Sequence, residues 1–420
     1  MACRSMIGGG RRPAPKRRDR DAERPLAKAL CDRRDLTQTD TMLSAMLLLI
    51  AQASAPQTPP IAAATAPAPS ANASANPAVA TPAPAAQWPA RDAQVTLHNF
   101  RFRSGETLAE LRLNYTTLGQ PHRNARGEID NAVMVLHGTG GTGRQFLSPQ
   151  FADELYGPGQ PLDITRYWVI LPDGIGHGKS SKPSDGLRMR FPHYDYDDMV
   201  EAQYRLLHDS LGIRHMRLIM GTSMGCMHSL VWGETHPDFA RALMPLACEP
   251  VEIAGLNRMW RQLAIDGIKS DPGWARGDYR APPQQGLRTA ASLLFVAGAA
   301  PLYFQAQYPK RDAAEAFARE RVTASIAGID ANDLIYQIDA SRTYAPWSRL
   351  EAITAPTIWI NSADDFINPR NLDYPQQAVA RMRDARFRLI PESADTRGHG
   401  THTAARFWKQ DLADLLHRTE

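Results

Sequence analysis

Short apolar segments alternate with amphipathic segments from about residue 93 to the end of the chain. Most of the apolar segments are continuous and rich in Val, Ile and Leu, which is typical of strands buried on both faces of a parallel sheet. Two earlier segments, 95–102 and 111–117, predict an opening antiparallel pair. The strands predicted after that pair cover 132–136, 167–171, 216–220, 242–247, 357–361 and 386–390.

Amphipathic segments predict helices between these strands. In 194–211, apolar residues recur on one helical face, and Gly212 marks the end of the pattern. Further helices are predicted at 350–355 and 403–416. Strands that alternate with helices in this way indicate an α/β fold.

The stretch 252–347 is longer than a connection between two strands requires, and it lacks strand-like runs. It contains helical patterns such as 289–297 and 313–324. We therefore predict a globular domain over 91–420. It holds an eight-stranded, mostly parallel sheet flanked by helices, with a helical cap inserted between two of the strands.

The pentapeptide Gly221-Thr222-Ser223-Met224-Gly225 joins a predicted strand to a predicted helix. This is the context of a nucleophile elbow, in which a serine sits on a sharp, strained turn above the sheet. Glycine at 221 and 225 removes side chains that would crowd such a turn. Ser223 is therefore the candidate nucleophile.

A serine hydroxyl becomes an effective nucleophile when a histidine takes its proton and an acid orients that histidine. With an elbow of this type, the acid and then the histidine follow the serine along the chain. The loop after the seventh predicted strand holds Asp364 and Asp365, and either could serve. The loop after the last strand holds His399 and His402, and either could be the base.

The oxyanion that forms when serine attacks a carbonyl needs two backbone N–H donors. One belongs to the residue after the nucleophile, Met224, and the other to the loop after an early strand. That loop is 137–141, where Thr139 is the predicted donor and His137 a structural residue. No metal or other cofactor is implied, because the two candidate base histidines lack a third ligand at a zinc-like spacing.

Positive charge is concentrated at the start of the 420-residue chain. Residues 1–41 hold eleven Lys/Arg and six Asp/Glu, a net +5 against +4 for the whole chain, so 42–420 carry about −1. A nucleic-acid-binding surface on the domain is therefore not expected. We interpret 1–41 as a basic leader and favour a misassigned start, with Met42 as the true start, over a functional basic arm.

Met42 opens an apolar run that is too short to span a bilayer. The run is typical of a signal peptide, and Ala51-Gln52-Ala53 supplies a cleavage site. We predict a signal peptide over 42–55 and an Ala/Pro-rich linker over 56–90. These features favour a periplasmic or secreted protein without stable membrane insertion. A leader that does not act as a signal would leave the protein cytoplasmic.

Cys226 and Cys248 are the two cysteines that follow the leader. Two cysteines do not make a disulfide framework in a domain of this size, and both lie in apolar segments beside predicted strands. We expect buried thiols, with a disulfide between the two as the alternative in an oxidising compartment.

Several segments resemble the homoserine O-acetyltransferase-like branch of the α/β-hydrolase superfamily. They cover most of the globular chain and comprise 113–119, 131–137, 157–163, 222–225, 270–274 and 277–279. The resemblance implies Ser223 as the nucleophile, Asp365 as the acid because it directly precedes Phe366-Ile367-Asn368-Pro369, and His399 as the base. It also implies that Arg261 in the cap binds a substrate carboxylate, and that the protein forms a homodimer through the cap.

The chain departs from that branch at its functional loops. The early loop is His137-Gly138-Thr139-Gly140-Gly141, where the branch has His-Ala-Leu-Thr-Gly. The last motif is Gly398-His399-Gly400-Thr401-His402, where the branch has Gly-His-Asp-Ala-Phe. The distance from Arg261 to Asp271-Pro272 is also about one helical turn longer than in the branch.

We therefore predict a serine-dependent enzyme that acts on a small-molecule ester or thioester through an acyl-enzyme intermediate. The altered early loop and the predicted export favour water as the acceptor, which makes a hydrolase. The alternative, favoured by the resemblance, is an O-acyltransferase that moves an acyl group from acyl-CoA to an alcohol. A binding protein without chemistry is not expected, because every member of the triad is present.

The predicted leader can be tested by N-terminal sequencing of the protein recovered from its native host. We expect the mature chain to begin at or near Ser54, because cleavage follows the small residues of the signal. Recovery of the intact leader from the cytoplasm would contradict the predicted export.

Overall fold

The computed structural model describes residues 88–420. The predicted basic leader, the signal peptide and the linker up to residue 87 lie outside the described residues. No single helix within 88–420 is long and apolar enough to cross a membrane, although one pair of helices bent by 102° meets the length and composition requirements together.

Eight strands form one sheet, as the apolar runs predict. They are β1 (Arg91–Arg101), β2 (Thr107–Leu118), β3 (Ala132–Leu136), β4 (Trp168–Pro172), β5 (Leu218–Thr222), β6 (Leu243–Leu246), β7 (Thr357–Ser362) and β8 (Ala385–Ile390). The order across the sheet is β1-β2-β4-β3-β5-β6-β7-β8. The pairs β1–β2 and β2–β4 are antiparallel, and every other neighbouring pair is parallel. The expected fold class is confirmed.

Both faces of the sheet are covered, which explains the continuous apolar runs. Successive side chains of a strand point to opposite faces. In β3, Met134 and Leu136 therefore join the core on one face, whereas Val133 and Val135 join the core on the other. A third, separate core lies among helices between β6 and β7.

Ten α-helices accompany the sheet within the described residues. They are α1 (Pro149–Leu155), α2 (Tyr196–Arg205), α3 (Met224–Thr235), α4 (Gly255–Ser270), α5 (Gln284–Ala297), α6 (Pro301–Gln307), α7 (Arg311–Ile326), α8 (Ala331–Asp339), α9 (Tyr374–Val379) and α10 (Lys409–Arg418). Helices α4 to α8 occupy the segment between β6 and β7, where the sequence predicts the cap. On α4, Leu256, Met259 and Leu263 are exposed along one side. The homodimer through the cap stays a prediction.

Three helix predictions differ from the structure. The helix predicted over 194–211 is α-helical only in α2 and continues as a π-helix over Leu206–Ser210. The segment predicted as a helix at 350–355 falls at the end of a 3₁₀-helix, Pro346–Ala352. The last helix starts at Lys409 and not at 403, because 3₁₀ turns over Gly398–Thr403 and Ala405–Phe407 precede it. Local periodicity does not distinguish these tighter or wider turns from an α-helix.

The expectation of two free buried thiols is wrong for Cys226 and Cys248, which form a disulfide with 5.8 Å between their Cα atoms. Cys226 lies in the first turn of α3, and Cys248 lies just after β6. Both are fully buried. The sequence left this pairing as the alternative because the two cysteines are 22 residues apart and meet only when α3 packs beside β6.

Mapping of the unreduced protein by protease digestion and mass spectrometry should show the peptides of Cys226 and Cys248 joined. A disulfide closing a loop of this length stabilises a protein by about 3 kcal/mol in the chain-entropy model. We expect Cys248→Ser to lower the free energy of unfolding by about that amount. Recovery of both peptides with free thiols would contradict the pairing.

Candidate active site

Ser223 lies on the turn between β5 and α3, near the middle of the sheet. Its φ of 56° and ψ of −111° are strained for a residue with a side chain. A Cβ on Gly221 would collide with the backbone of Gly225, and a Cβ on Gly225 would collide with the carbonyl group of Leu136. The turn therefore requires the glycines on both sides of the serine, as the motif predicts.

Hydrogen bonds join Ser223, His399 and Asp365 in one line. His399 Nε2 lies 2.8 Å from Ser223 Oγ, and His399 Nδ1 lies 2.8 Å from Asp365 Oδ2. These distances suit transfer of the serine proton to Nε2 while the carboxylate holds Nδ1–H. The three residues are up to 176 positions apart in the chain, and the structure brings them together.

Asp365 is 2% exposed and is held by its own loop. The Ile367 N–H donates to Oδ1 at 2.9 Å, and the side-chain amide of Asn368 donates to Oδ2 at 2.8 Å. Burial by itself would raise the pKa of Asp365, but the charge of His399 and these hydrogen bonds outweigh it and lower the pKa. Asp365 is therefore ionised at neutral pH. The role of Asn368 was not predicted from the sequence.

Asp364, the alternative acid, does not contact the histidine. Its Oδ2 accepts a hydrogen bond from the Gly398 N–H at 2.9 Å, and Oδ1 binds the Ser362 hydroxyl. Gly398 has a φ of +56°. Asp364 therefore holds the backbone directly before His399, which makes it a positioning residue.

His402, the alternative base, lies beside His399 with 4.9 Å between the ring centroids. Within residues 88–420, no hydrogen bond joins His402 to Ser223. Burial, assisted by the nearby His399, lowers the pKa of His402 to about 3. The ring is therefore neutral at physiological pH.

The oxyanion loop, 137–141, lies against the serine. A Cβ built on Gly138 would lie 3.3 Å from the Ser223 Cβ, so glycine allows the close approach. The N–H of Thr139 donates to no protein group among the described residues, and that of Met224, at the start of α3, has no carbonyl partner within the helix. Both amides are thus free to bind an oxyanion, and their role stays a prediction.

His137 connects the oxyanion loop to the loop after β4. The Gly174 N–H donates to His137 Nε2 at 2.9 Å, so the ring proton lies on Nδ1, which is 2.9 Å from the Gly138 carbonyl oxygen. Burial lowers the pKa of His137 and keeps this tautomer neutral. The ring therefore fixes the backbone of the oxyanion loop, in line with the structural role predicted for it.

Arg261 lies on α4 and is 2% exposed. Its Nε donates to Asn257 at 2.9 Å, and its guanidinium stacks 4.7 Å from the centroid of the Trp260 ring. Burial lowers the pKa of Arg261, and the Tyr196 phenol lies beside it. The guanidinium is not part of the wall of the pocket at Ser223. Carboxylate binding by Arg261 stays a prediction.

A pocket of about 460 Å³ opens directly on Ser223 and His399. Its polar wall consists of Thr139, Gln145, Ser148, Gln150, His402 and Thr403, and its apolar wall of Phe146 and Phe151. A larger and mainly apolar cavity of about 800 Å³ lies between α5–α7 and the loop after β7. Ser223 and His399 do not line the larger cavity, so the chemistry is expected at the smaller pocket.

Glu249, just after β6, is a second carboxyl group near the triad that the sequence did not reveal. Burial, followed by the nearby Asp365, raises the pKa of Glu249 to about 8. Its Oε2 atom is buried without a hydrogen-bond partner. A group of three His, Cys, Asp or Glu side chains able to hold a metal ion is not found within 88–420.

A strained serine at a strand-to-helix turn, with an acid after β7 and a histidine after β8, is the arrangement of α/β hydrolases. The family model described as "alpha/beta hydrolase fold" matches residues 131–395, more than half of the chain, and the protein belongs to this family. Within it, the relatives described next place the chain in the homoserine O-acetyltransferase-like branch.

A probable acyltransferase from Methanothermobacter thermautotrophicus is 30% identical over 278 residues, which are 66% of this chain and 83% of the relative. A homoserine O-acetyltransferase from Pelobacter propionicus is 30% identical over 341 residues, which are 72% of this chain and 90% of the relative. The solved structure of an acetylester hydrolase from Corynebacterium glutamicum shares the fold. Its TM-score is 0.68 at 20% identity, over 78% of this chain and 96% of that one.

Four variants separate the two candidate acids and the two candidate bases. We expect His399→Ala to lower kcat for p-nitrophenyl acetate by about 10⁴-fold, because the triad loses its proton acceptor. Asp365→Asn should lower kcat by a similar factor, because it removes the group that orients the histidine. Asp364→Asn and His402→Ala should each retain at least about a tenth of the rate. Steady-state kinetics with circular dichroism as a folding control measures this. A large loss confined to Asp364→Asn or His402→Ala would contradict the assignment.

Proposed function

We propose that this protein is a serine-dependent hydrolase that cleaves a carboxylic ester or thioester through an acyl-enzyme intermediate. The observation that carries the proposal is the unbroken line of hydrogen bonds from Asp365 through His399 to Ser223 Oγ. The line ends at a pocket large enough for a small molecule.

In the proposed reaction, Ser223 Oγ attacks the carbonyl carbon while His399 Nε2 accepts its proton. The backbone amides of Thr139 and Met224 stabilise the oxyanion, and Asp365 stabilises the imidazolium. His399 then donates the proton to the leaving alcohol or thiol, and the acyl group stays on Ser223. A water molecule attacks this ester by the same steps in reverse and releases the acid.

The pocket supports water as the second acceptor. Acyl-CoA carries several phosphate charges, and homoserine carries a carboxylate and an ammonium group. Recognition of such groups commonly uses Arg or Lys side chains. The wall of the pocket at Ser223 contains neither within the described residues, and Arg261 is buried outside that wall.

The second candidate function is O-acyl transfer from acyl-CoA to an alcohol. The names of the relatives from M. thermautotrophicus and P. propionicus favour it, and both align over most of their own length. The chemistry up to the acyl-enzyme is the same for both functions. Only the molecule that attacks the acyl-enzyme differs.

We also propose that the protein is exported. The buried disulfide between Cys226 and Cys248 supports this, because disulfides persist in the periplasm and outside the cell and are rare in the cytosol. Export would also separate the enzyme from acyl-CoA, a cytoplasmic metabolite, and so favours the hydrolase. The N-terminal sequencing described above tests this proposal.

Two assays with the purified protein distinguish the candidate functions. We expect steady hydrolysis of p-nitrophenyl acetate and no CoA release when acetyl-CoA and homoserine are supplied together. Ser223→Ala should abolish the hydrolysis while its thermal midpoint stays within a few degrees of the wild type, since only the nucleophilic oxygen is removed. Homoserine-dependent CoA release would establish the acyltransferase instead. Full hydrolytic activity in Ser223→Ala would contradict both functions.

A further inference from the structure

The wall of the pocket beside Ser223 combines apolar surface with uncharged polar groups. Outside the triad, six of its side chains carry amide, hydroxyl or imidazole groups: Thr139, Gln145, Ser148, Gln150, His402 and Thr403. Within the described residues, Asp, Glu, Lys and Arg are missing from the wall of this pocket. A wall of this composition offers hydrogen-bond donors and acceptors without a net charge.

Outside the triad, the charged side chain of Arg397 contacts this wall through Gln150. Arg397 donates to Gln150 Oε1 at 2.8 Å and lies 5.4 Å from the centroid of the Tyr303 ring. Gln150 in turn donates to the Thr403 hydroxyl at 2.8 Å. Gln150 and Thr403 are thus held together on the wall of the pocket, and Arg397 is not among the residues that line it.

His402 is one of the residues that line the pocket. Its Nδ1 is buried without a hydrogen-bond partner in the protein. The ring is neutral at physiological pH, because burial and the neighbouring His399 lower its pKa. A neutral imidazole exchanges hydrogen bonds with hydroxyl groups and provides no charge for an anion.

The side-chain amide of Gln145 also lies in the pocket and is weakly hydrogen-bonded to the protein. Its Nε2 lies 3.5 Å from the Thr222 hydroxyl, a long and therefore weak contact. Its Oε1 lies next to Gly141, where any Cβ would collide with it. The backbone of the oxyanion loop therefore leaves space for this amide, within the same pocket as the attacking oxygen.

We propose that the pocket selects short-chain esters of neutral, polyhydroxylated alcohols such as sugars, with His402 and Gln145 as specificity-determining residues. This inference rests on the proposed hydrolase function. Hydrolysis breaks the bond between the acyl carbon and the alcohol oxygen. Water supplies the hydroxyl of the released acid, and the alcohol oxygen gains the proton that His399 donates.

An apolar alcohol of the same shape would leave His402 and Gln145 without partners once water is displaced. Unpaired polar groups in a closed site cost free energy, which is why sites built for hydroxyl groups reject analogues that lack them. One hydrogen bond to a neutral group changes binding by about tenfold. The hydroxylated ester should therefore exceed its apolar analogue by at least about tenfold in kcat/KM.

The test compares methyl 6-O-acetylglucoside with cyclohexylmethyl acetate on the full-length protein. The two esters share a six-membered ring, an acetyl group and a primary alcohol, and they differ in ring oxygen and hydroxyl groups. We expect the sugar ester to be preferred by about tenfold or more. An equal rate for the two esters, or a preference for the cyclohexyl ester, would overturn the inference.

Two variants test the assigned residues. His402→Ala and Gln145→Leu should each reduce the ratio of the two kcat/KM values by about tenfold. A ratio is insensitive to the fraction of correctly folded enzyme, so a purely structural role would leave it unchanged. His417→Ala, an exposed histidine on α10, is the matched control and should keep the wild-type ratio. An unchanged ratio in both pocket variants would overturn their assignment.

Hydrolysis of p-nitrophenyl acetate distinguishes a failure of the specificity inference from a failure of the proposed hydrolase function. If Ser223-dependent hydrolysis is present without a preference for the sugar ester, the specificity inference fails and the hydrolase stands. If the wild type does not hydrolyse p-nitrophenyl acetate or either test ester, the proposed function itself fails.

Discussion

The close backbone packing around Ser223 is the constraint on which the rest of the site depends. A positive φ at a residue with a side chain costs about 1–3 kcal/mol, so the surrounding structure must enforce it. The Ser223 N–H is bonded to the Leu246 carbonyl at 2.8 Å, and Gly225 lies against the carbonyl group of Leu136. The disulfide from Cys226 to Cys248 joins the same helix to the end of the neighbouring strand. These contacts hold the strained turn in place, and the turn puts Ser223 Oγ within hydrogen-bond distance of His399 Nε2.

The parallel arrangement of β5 to β8 supplies the other two members of the triad. Because parallel strands end at the same edge of a sheet, the loops after β5, β7 and β8 meet there. Each loop then fixes its own side chain: Asn368 holds Asp365, and Asp364 holds the backbone before His399. Burial of Asp365 excludes water from the hydrogen bond to His399, which strengthens that bond. The positions of Asp365 and His399 therefore depend on Asn368 and Asp364 as well as on the hydrogen bonds within the triad.

The likeness to the relatives, over 66% to 72% of this chain, and the composition of the pocket favour different second acceptors. The relatives include homoserine O-acetyltransferases, and the shared fold explains how one acyl-enzyme could serve transfer or hydrolysis. Two residues around Ser223 that depart from the branch, Thr139 and His402, are among the uncharged polar residues of the pocket wall. Branch membership thus describes the scaffold, whereas the proposed choice of alcohol rests on the wall of the pocket. The Arg261 side chain is buried beside Tyr196, and its binding of a substrate carboxylate stays a prediction.

The sequence by itself determined the class of fold, the order of the strands along the chain and the position of the candidate nucleophile. These follow from local patterns: continuous apolar runs, the spacing of glycines around Ser223, and residues that directly follow strands. The local patterns left Asp364 and Asp365, and His399 and His402, as alternatives until the resemblance favoured Asp365 and His399, and the tertiary structure shows that these two hydrogen-bond in line with Ser223. The pairing of Cys226 with Cys248, the 3₁₀ turns before α10 and the neutral wall around Ser223 were likewise decided by packing. The disulfide and the pocket wall bring together residues from separate segments, and such contacts exist only once the chain has folded.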